Sequence, residues 1–445
     1  MDVLRALLVS YAFPPVGGAG VQRVLKLAKY LPEHGVEPSV LSVDNPSVPL
    51  HDQSLLRDVA PGLRVIRAPT LEPRYALKSR ASSPSSKRSR IVALAKLALF
   101  PDPQVLWQPA AQLALSKRLL GARPDQVVFV SGPPFSQFLL GPLARLCPGT
   151  AVVFDYRDEW STLRQSYENS SRATAALAAR LERALLRSAH AVTTATEAFR
   201  DELLRRFDFL DPAQVHAIPN GYDPEDFRDA LPVLRSDRFV LTYAGTVFRL
   251  TRAQGLLGAL RLLREREPAL ARLLEVRFLG RIVESEQYYF EDSERLGVHR
   301  LGYVEHAEVL RELAASHATL CLLDDLPENA RIYPAKIFEL MRLGRPCLTL
   351  APEGALTDLA HRHRFGLVAP PRDVEAIAAA LARLVRAFAR GEPFGPPPID
   401  VDRYDRRRQA GQFAAVFRDA VARAQPERRF FNVSTLRPPA TSARR

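Results

Sequence analysis

Cysteine is scarce in this chain, with three in 445 residues: Cys147, Cys321 and Cys347. Odd in number, set in apolar runs and without metal-ligand spacing, they exclude a disulfide framework and a zinc site. They read as buried thiols of a reducing compartment. Long apolar runs are missing too. Ile91 to Phe100, the longest beside a cationic flank, falls well short of the roughly 20 residues that span a bilayer and contains Lys96. The amino terminus lacks a cationic leader and a cleavage site, and Met1-Asp2 passes straight into Val3 to Ser10, expected as a first strand and not as a signal peptide. A cytoplasmic protein is the expectation. Zinc-finger spacing, an RNA-recognition signature and interleaved aromatic and basic residues are all lacking, so nucleic acid is not expected as a partner.

What is present is an excess of positive charge and a regular alternation. Lys and Arg number 62 against 49 Asp and Glu, a formal net charge of +13, which favours phospholipid headgroups or pyrophosphate-bearing substrates. Part of that excess follows from heavy use of Arg throughout. Hydrophobic residues at 47% and charged residues at 25% are those of a globular protein, and 445 residues suit two domains of ordinary size. Short β-branched runs at Val36 to Val43, Arg64 to Ala68, Gln126 to Ser131, Ala151 to Asp155, Ala191 to Thr194 and Val215 to Ile218 alternate with helical patterns. Such alternation predicts parallel strands joined by crossover helices. After the turn-rich Pro219-Asn220-Gly221-Tyr222-Asp223-Pro224 it restarts at Phe239 to Ala244 and continues through Val276 to Leu279, Val298 to Leu301, Thr319 to Leu323 and Cys347 to Ala351.

The expected division is an amino-terminal domain over 1–218, a carboxyl-terminal domain over 219–395, a helical segment over 396–425 and a disordered tail over 426–445. Two doubly wound α/β domains in tandem place a ligand cleft between the carboxyl ends of their strands. Within the first, Lys78 to Arg90 is so rich in Ser and basic residues that a mobile insertion is expected.

Three motifs fall at strand ends. Phe13-Pro14-Pro15-Val16-Gly17-Gly18-Ala19-Gly20 opens a helix over Val21 to Leu31, where glycines permit close backbone approach and the helix terminus offers free N–H groups. It reads equally as a phosphate or acceptor contact and as a tight turn. Asp155-Tyr156-Arg157-Asp158-Glu159-Trp160 puts carboxylates at the end of a buried strand, for acid–base work or for an ion pair of Arg157 with Asp155 or Asp158. Trp160 and the turn Ser131 to Ser136 are expected to line the same edge. In Pro334-Ala335-Lys336-Ile337-Phe338-Glu339, Lys336 and Glu339 share one helix face, with Gly344 as the stop. They suit a diphosphate and a ribose, or a simple i,i+3 salt bridge. The pair Asp324-Asp325 reads as a solvated loop without a third metal ligand.

The last motif, with Asn220-Gly221, Tyr243-Ala244-Gly245-Thr246, Leu301-Gly302-Tyr303 and Phe365-Gly366-Leu367-Val368, resembles the donor-binding half of the group-one retaining glycosyltransferases. The glycine loop, the Gly132-Pro133-Pro134 turn and the Tyr156 to Trp160 strand end resemble the amino half of the same family, and the order matches over roughly 1–425. The resemblance implies the GT-B fold, two Rossmann-like domains facing each other. It implies a retaining transferase moving a sugar from a UDP-, GDP- or dTDP-sugar to a polysaccharide or lipid-linked acceptor of the cell envelope. Of the family's two glutamates eight apart, Glu339 matches the second, which holds the ribose, while Arg331 stands where the first would be; a subgroup with Pro-x-Lys-x-x-Glu has this arrangement. The resemblance implies donor contacts at Lys336 and Glu339 and makes Arg249 and Arg252 the candidates for phosphate after the Gly245 loop; with the glycine loops read as backbone approaches, the donor set is Gly17, Gly18, Gly245, Thr246, Arg252, Lys336 and Glu339. Where the family often has a histidine at the amino-domain strand end this chain departs from it with Asp155 to Asp158, and Asp158, Lys336 and Arg249 are the expected catalytic residues. No metal or other cofactor is expected, since cations of the chain do a metal's electrostatic work. Attachment to an anionic membrane at the inner face of the plasma membrane fits the basic insertion. The competing readings are a nucleotide-sugar epimerase of the same fold and a non-catalytic binding scaffold.

Overall fold

Two parallel sheets organise the computed structural model, which describes residues 3–48, 51–73, 99–161, 172–228 and 236–425. The first contains β1 (Leu4–Val9), β2 (Val36–Val43), β3 (Arg64–Ala68), β4 (Val127–Gly132), β5 (Ala151–Tyr156), β6 (Ala191–Thr194) and β7 (Val215–Ala217), in the order β3-β2-β1-β4-β5-β6-β7. The second contains β8 (Phe239–Ala244), β9 (Leu274–Leu279), β10 (Val298–Gly302), β11 (Ala318–Leu322), β12 (Cys347–Leu350) and β13 (Leu367–Ala369), in the order β10-β9-β8-β11-β12-β13. Registers such as Leu8 opposite both Val40 and Phe129 show β1 as a central strand.

Alternation builds a core on each face. Leu7 and Val9 of β1 join one buried cluster, and Ala6 and Leu8 join the other, because successive side chains of a strand point to opposite faces. The second sheet divides in the same way. Each fully buried Leu, Val or Phe contributes roughly 1.5–3 kcal/mol relative to exposure. The expectation of α/β architecture with two doubly wound domains is met.

The carboxyl-terminal helix, Arg406–Ala424, returns to the first sheet: Phe413 and Phe417 pack on Phe129 of β4, with ring centres 5.6 and 5.5 Å away. The chain thus crosses between the halves twice, and the crossings pair, Tyr222 N–H donating to Tyr404 O and Arg406 N–H to Tyr222 O, both at 3.0 Å. One detail differs from expectation: Cys147 is partly exposed, whereas Cys321 and Cys347 are buried. Strand β13, three residues long, is too short for a periodic signal. The basic insertion, most of Ile91 to Phe100 and the tail after 425 lie outside the described residues. Among the described residues no helix is long and apolar enough to cross a membrane.

Candidate active site

In each sheet the strand order reverses once, between β1 and β4 and between β8 and β11. Ligands of open α/β sheets bind outside the carboxyl ends of the strands at such a switch point. The loops leaving those four strands carry the glycine motif, the Gly132-Pro133-Pro134 turn, Gly245-Thr246 and Asp324-Asp325.

A cavity of about 120 Å³ joins the two halves there and is lined from the first by Gly18, Gln22 and Asp52, from the second by Tyr303, His306, Lys336 and Glu339, and from the carboxyl-terminal helix by Arg406. Gly18 adopts φ 101°, a left-handed conformation that favours glycine, and the helix Ala19–Tyr30 starts directly after it without a capping side chain. Lys336 immediately precedes the helix Ile337–Leu343, which Gly344 ends in a left-handed conformation as expected. The helix begins three residues after Pro334, later than the sequence pattern predicts.

Lys336 and Glu339 do not form the i,i+3 salt bridge. Glu339 Oε1 instead bonds His306 Nε2 at 3.1 Å, and among the described residues its Oε2 has no partner. Lys336 makes no hydrogen bond or ion pair among the described residues. Burial lowers the Lys336 pKa, and Glu339 offsets this only in part. Burial alone would raise the Glu339 pKa, but His306 and Lys336 hold it below the usual carboxylate value. Burial would lower the pKa of His306, but Glu339 and Asp226 raise it. The cavity therefore offers an ammonium only partly compensated by Glu339, beside a carboxylate with one oxygen open among the described residues, complementary to a phosphate next to a hydroxylated sugar.

Opposite, the strand end of β5 separates into distinct roles. Asp155 is fully buried, and Arg23, not Arg157, is its cation, with Nη2 to Oδ1 at 2.8 Å; Ser131 and Thr193 hydroxyls add bonds at 2.7 Å each. Arg23 also donates to Ile218 O and Pro219 O, so Asp155 serves the attachment of the interdomain linker. Arg157 donates to Gly20 O, Gly132 O and Pro133 O, tying the glycine loop to the Gly-Pro-Pro turn. A Cβ on Gly20 would stand 2.8 Å from Arg157 Nη1. Trp160 does not line the edge: it is buried and stacks on Phe135 at 4.9 Å. Asp158 is exposed and makes no hydrogen bond or ion pair among the described residues. Enough protein surrounds it for desolvation to raise its pKa, against the pull of Arg157 and with the aid of Glu159.

The loop after β8 brings Arg249 and Arg252 to acidic partners of their own half. Arg249 pairs with Glu328 at 3.1 Å, and Arg252 with Glu286 at 3.1 Å and Asp324 at 3.7 Å. Asp324 is not a solvated loop residue: it is buried and held by Arg372 at 3.0 and 3.2 Å. Gly245, Thr246, Arg249 and Arg252 thus lie at the second switch point but outside the lining of the Lys336 cavity, as does Asp158.

One trio of carboxylates among the described residues, Asp58, Asp223 and Asp226, is close enough to hold a metal. Lys26 Nζ occupies that space, 2.7, 2.5 and 3.5 Å from them, and Lys29 lies 2.7 Å from Asp58. This network fastens the first helix to the start of the linker. A larger hollow of about 1120 Å³, lined by Arg5, Glu37, Arg64 and Lys117, runs along the opposite, amino ends of the first strands, away from both switch points.

Residues 17–221 match the model of the glycosyl transferase 4-like domain, and residues 238–387 match that of the glycosyl transferases group 1. Both halves are glycosyltransferase domains. The two-domain arrangement recurs in the sucrose-phosphate synthase of Thermosynechococcus elongatus, with a TM-score of 0.63 at 17% identity over 94% of this chain and 99% of that one. It recurs in HepE of Anabaena in complex with UDP and glucose, with a TM-score of 0.54 at 16% identity over 95% and 97%. A Listeria monocytogenes protein described as a UDP-N-acetylglucosamine 2-epimerase gives 0.53 at 12% over 96% and 99%. At such identities the likeness is one of fold, and the fold is GT-B. No curated protein sequence matches this chain.

Sequence reasoning missed His306 and Arg406. His306 opens a helix shortly after β10, a strand-end position like the motifs singled out elsewhere, so a signal existed. Arg406 reaches the cavity from the carboxyl-terminal helix, and nothing local marks it.

Proposed function

We propose that this GT-B protein transfers a sugar, with retention of anomeric configuration, from a nucleotide-sugar donor to a glycan or lipid-linked acceptor of the cell envelope. The observation that carries the reading is Lys336, an ammonium without an ion pair among the described residues, in an interdomain cavity beside Glu339. Lys336 meets the donor diphosphate together with Arg249 or Arg252, so no metal or other cofactor is assigned. Glu339 Oε2 accepts the ribose hydroxyls, and Gly17, Gly18, Gly245 and Thr246 let backbone approach the donor. A thermal-shift screen of UDP-, GDP- and dTDP-sugars should identify the donor. Glu339→Ala should then weaken its binding, measured by calorimetry, by roughly 1.5–3 kcal/mol, the range for hydrogen bonds to a charged group. Unchanged donor affinity would leave Glu339 only its bond to His306. The epimerase alternative predicts isomerised sugar when the donor is incubated alone.

The acceptor reading includes a cytoplasmic location and contact with anionic membrane through residues 78–100. Each basic residue near such a surface contributes about 1 kcal/mol, screened by salt. Sedimentation with anionic vesicles should therefore fall steeply as salt rises; no binding at low salt, or binding that survives deletion of 78–100, rules the contact out.

A further inference from the structure

One residue of the second half is held twice by the first. Arg331 Nε and Nη2 donate to the two oxygens of Glu159, at 2.6 and 2.8 Å, and Arg331 O accepts from Thr196 Oγ1 at 2.8 Å. Neither anchor is a loose surface group. Glu159 follows β5 with its side chain 4% exposed, and Thr196 caps the helix Glu197–Arg206 by accepting from Phe199 N–H. A bidentate guanidinium–carboxylate pair fixes orientation as well as distance. A glutamate at 331 would set two carboxylates against each other, so the partner at Glu159 suits the cation this chain carries.

The segment containing Arg331 otherwise belongs to the second domain. Arg249 reaches Glu328, Leu250 O accepts from Asn329 Nδ2 at 3.1 Å, and Gly354 approaches so closely that a Cβ on it would stand 2.2 Å from Ala330 O. Pro327–Arg331 is thus packed on the second half, while the first half holds its last residue. Five residues further on, Lys336 enters the cavity opposite Gly18 and Gln22.

We propose that Arg331 is a positioning residue: through Glu159 and Thr196 it sets the separation of the two domains and with it the placement of Lys336 against the glycine loop. Its catalytic consequence rests on the donor role proposed for Lys336; its effect on domain separation does not. Both are tested in the full-length protein by X-ray scattering, UDP binding and steady-state kinetics.

Arg331→Ala and Glu159→Gln should each increase the radius of gyration and lower kcat by on the order of 10- to 100-fold, the scale on which small misplacements act. The double variant should be no worse than either single one, since both remove the same contact. Arg331→Lys, which keeps the charge but not the bidentate geometry, should fall between; the Thr196 bond, made to the main-chain carbonyl, is open to every variant. Unchanged scattering and UDP affinity in both single variants overturn the proposal, as do additive losses in the double variant. If Arg331→Ala does not fold, Arg331→Lys decides: wild-type kcat with only a lower melting temperature marks an ordinary structural bridge and overturns it. If no nucleotide sugar is turned over at all, scattering still decides the domain separation, so the two readings fail separately.

Discussion

Lys336→Ala should lower turnover by roughly 100-fold or more while leaving the fold as stable as before. Negative charge on the diphosphate grows as the sugar–phosphate bond breaks, so a fixed cation stabilises the transition state more than the bound donor. Loss of a single preorganised charge-stabilising group costs about 100- to 1000-fold in kcat. The stability half of the expectation separates this role from a structural one. Lys336 makes no ion pair among the described residues, and burial lowers its pKa, so its charge is a cost to folding. Removing it should leave the melting temperature unchanged or raised. The active form is the protonated one and its pKa is lowered, so turnover should also decline with rising pH before an ordinary lysine would titrate. Turnover of the variant within threefold of wild type would exclude Lys336 from the leaving-group site.

The periodic parts of the fold were legible from local composition. Phe239 to Ala244 and Ala191 to Thr194 form strands over the residues their β-branched runs mark, because a strand buried on both faces is written as a continuous apolar run. Pairings across long separations were not legible. Lys336 and Glu339 both line the cavity, but which partner Glu339 takes depends on His306, brought alongside by a helix that follows a different strand. Glu159 and Arg331 are 172 positions apart, and Asp155 and Arg23 are 132 apart. Reading Asp155, Asp158 and Glu159 together at one strand end therefore hid a division of labour: the first is bound within its own domain, the last across the cleft, and the middle one has no hydrogen bond or ion pair among the described residues. Trp160 misled for a related reason, since an aromatic at a strand end faces either the cleft or the core, and Phe135 supplies the ring that draws it inward.

That division makes Asp158→Asn the sharpest test of mechanism. Asp155 is saturated by Arg23, Ser131 and Thr193, and Glu159 by Arg331, so neither is available to an acceptor hydroxyl. Asp158 is exposed and without a hydrogen bond or ion pair among the described residues. A positioned general base contributes typically 100- to 10,000-fold, so the amide should abolish most transfer while UDP still binds with wild-type affinity in calorimetry. The pH profile adds an independent reading. Desolvation raises the Asp158 pKa, the base must be deprotonated, and so wild-type turnover should rise with pH through a value above the usual aspartate range; the residual activity of Asp158→Asn should lack that limb. We propose that Asp158 activates the acceptor and does not attack the anomeric carbon; with the retention proposed above, the route is then same-face displacement assisted by the leaving phosphate. Product NMR decides the stereochemistry: a β-linked product from an α-linked donor means inversion and removes the retaining assignment. Wild-type transfer by Asp158→Asn would pass the acceptor proton to another group and leave Asp158 a solvated carboxylate at the rim of the cleft.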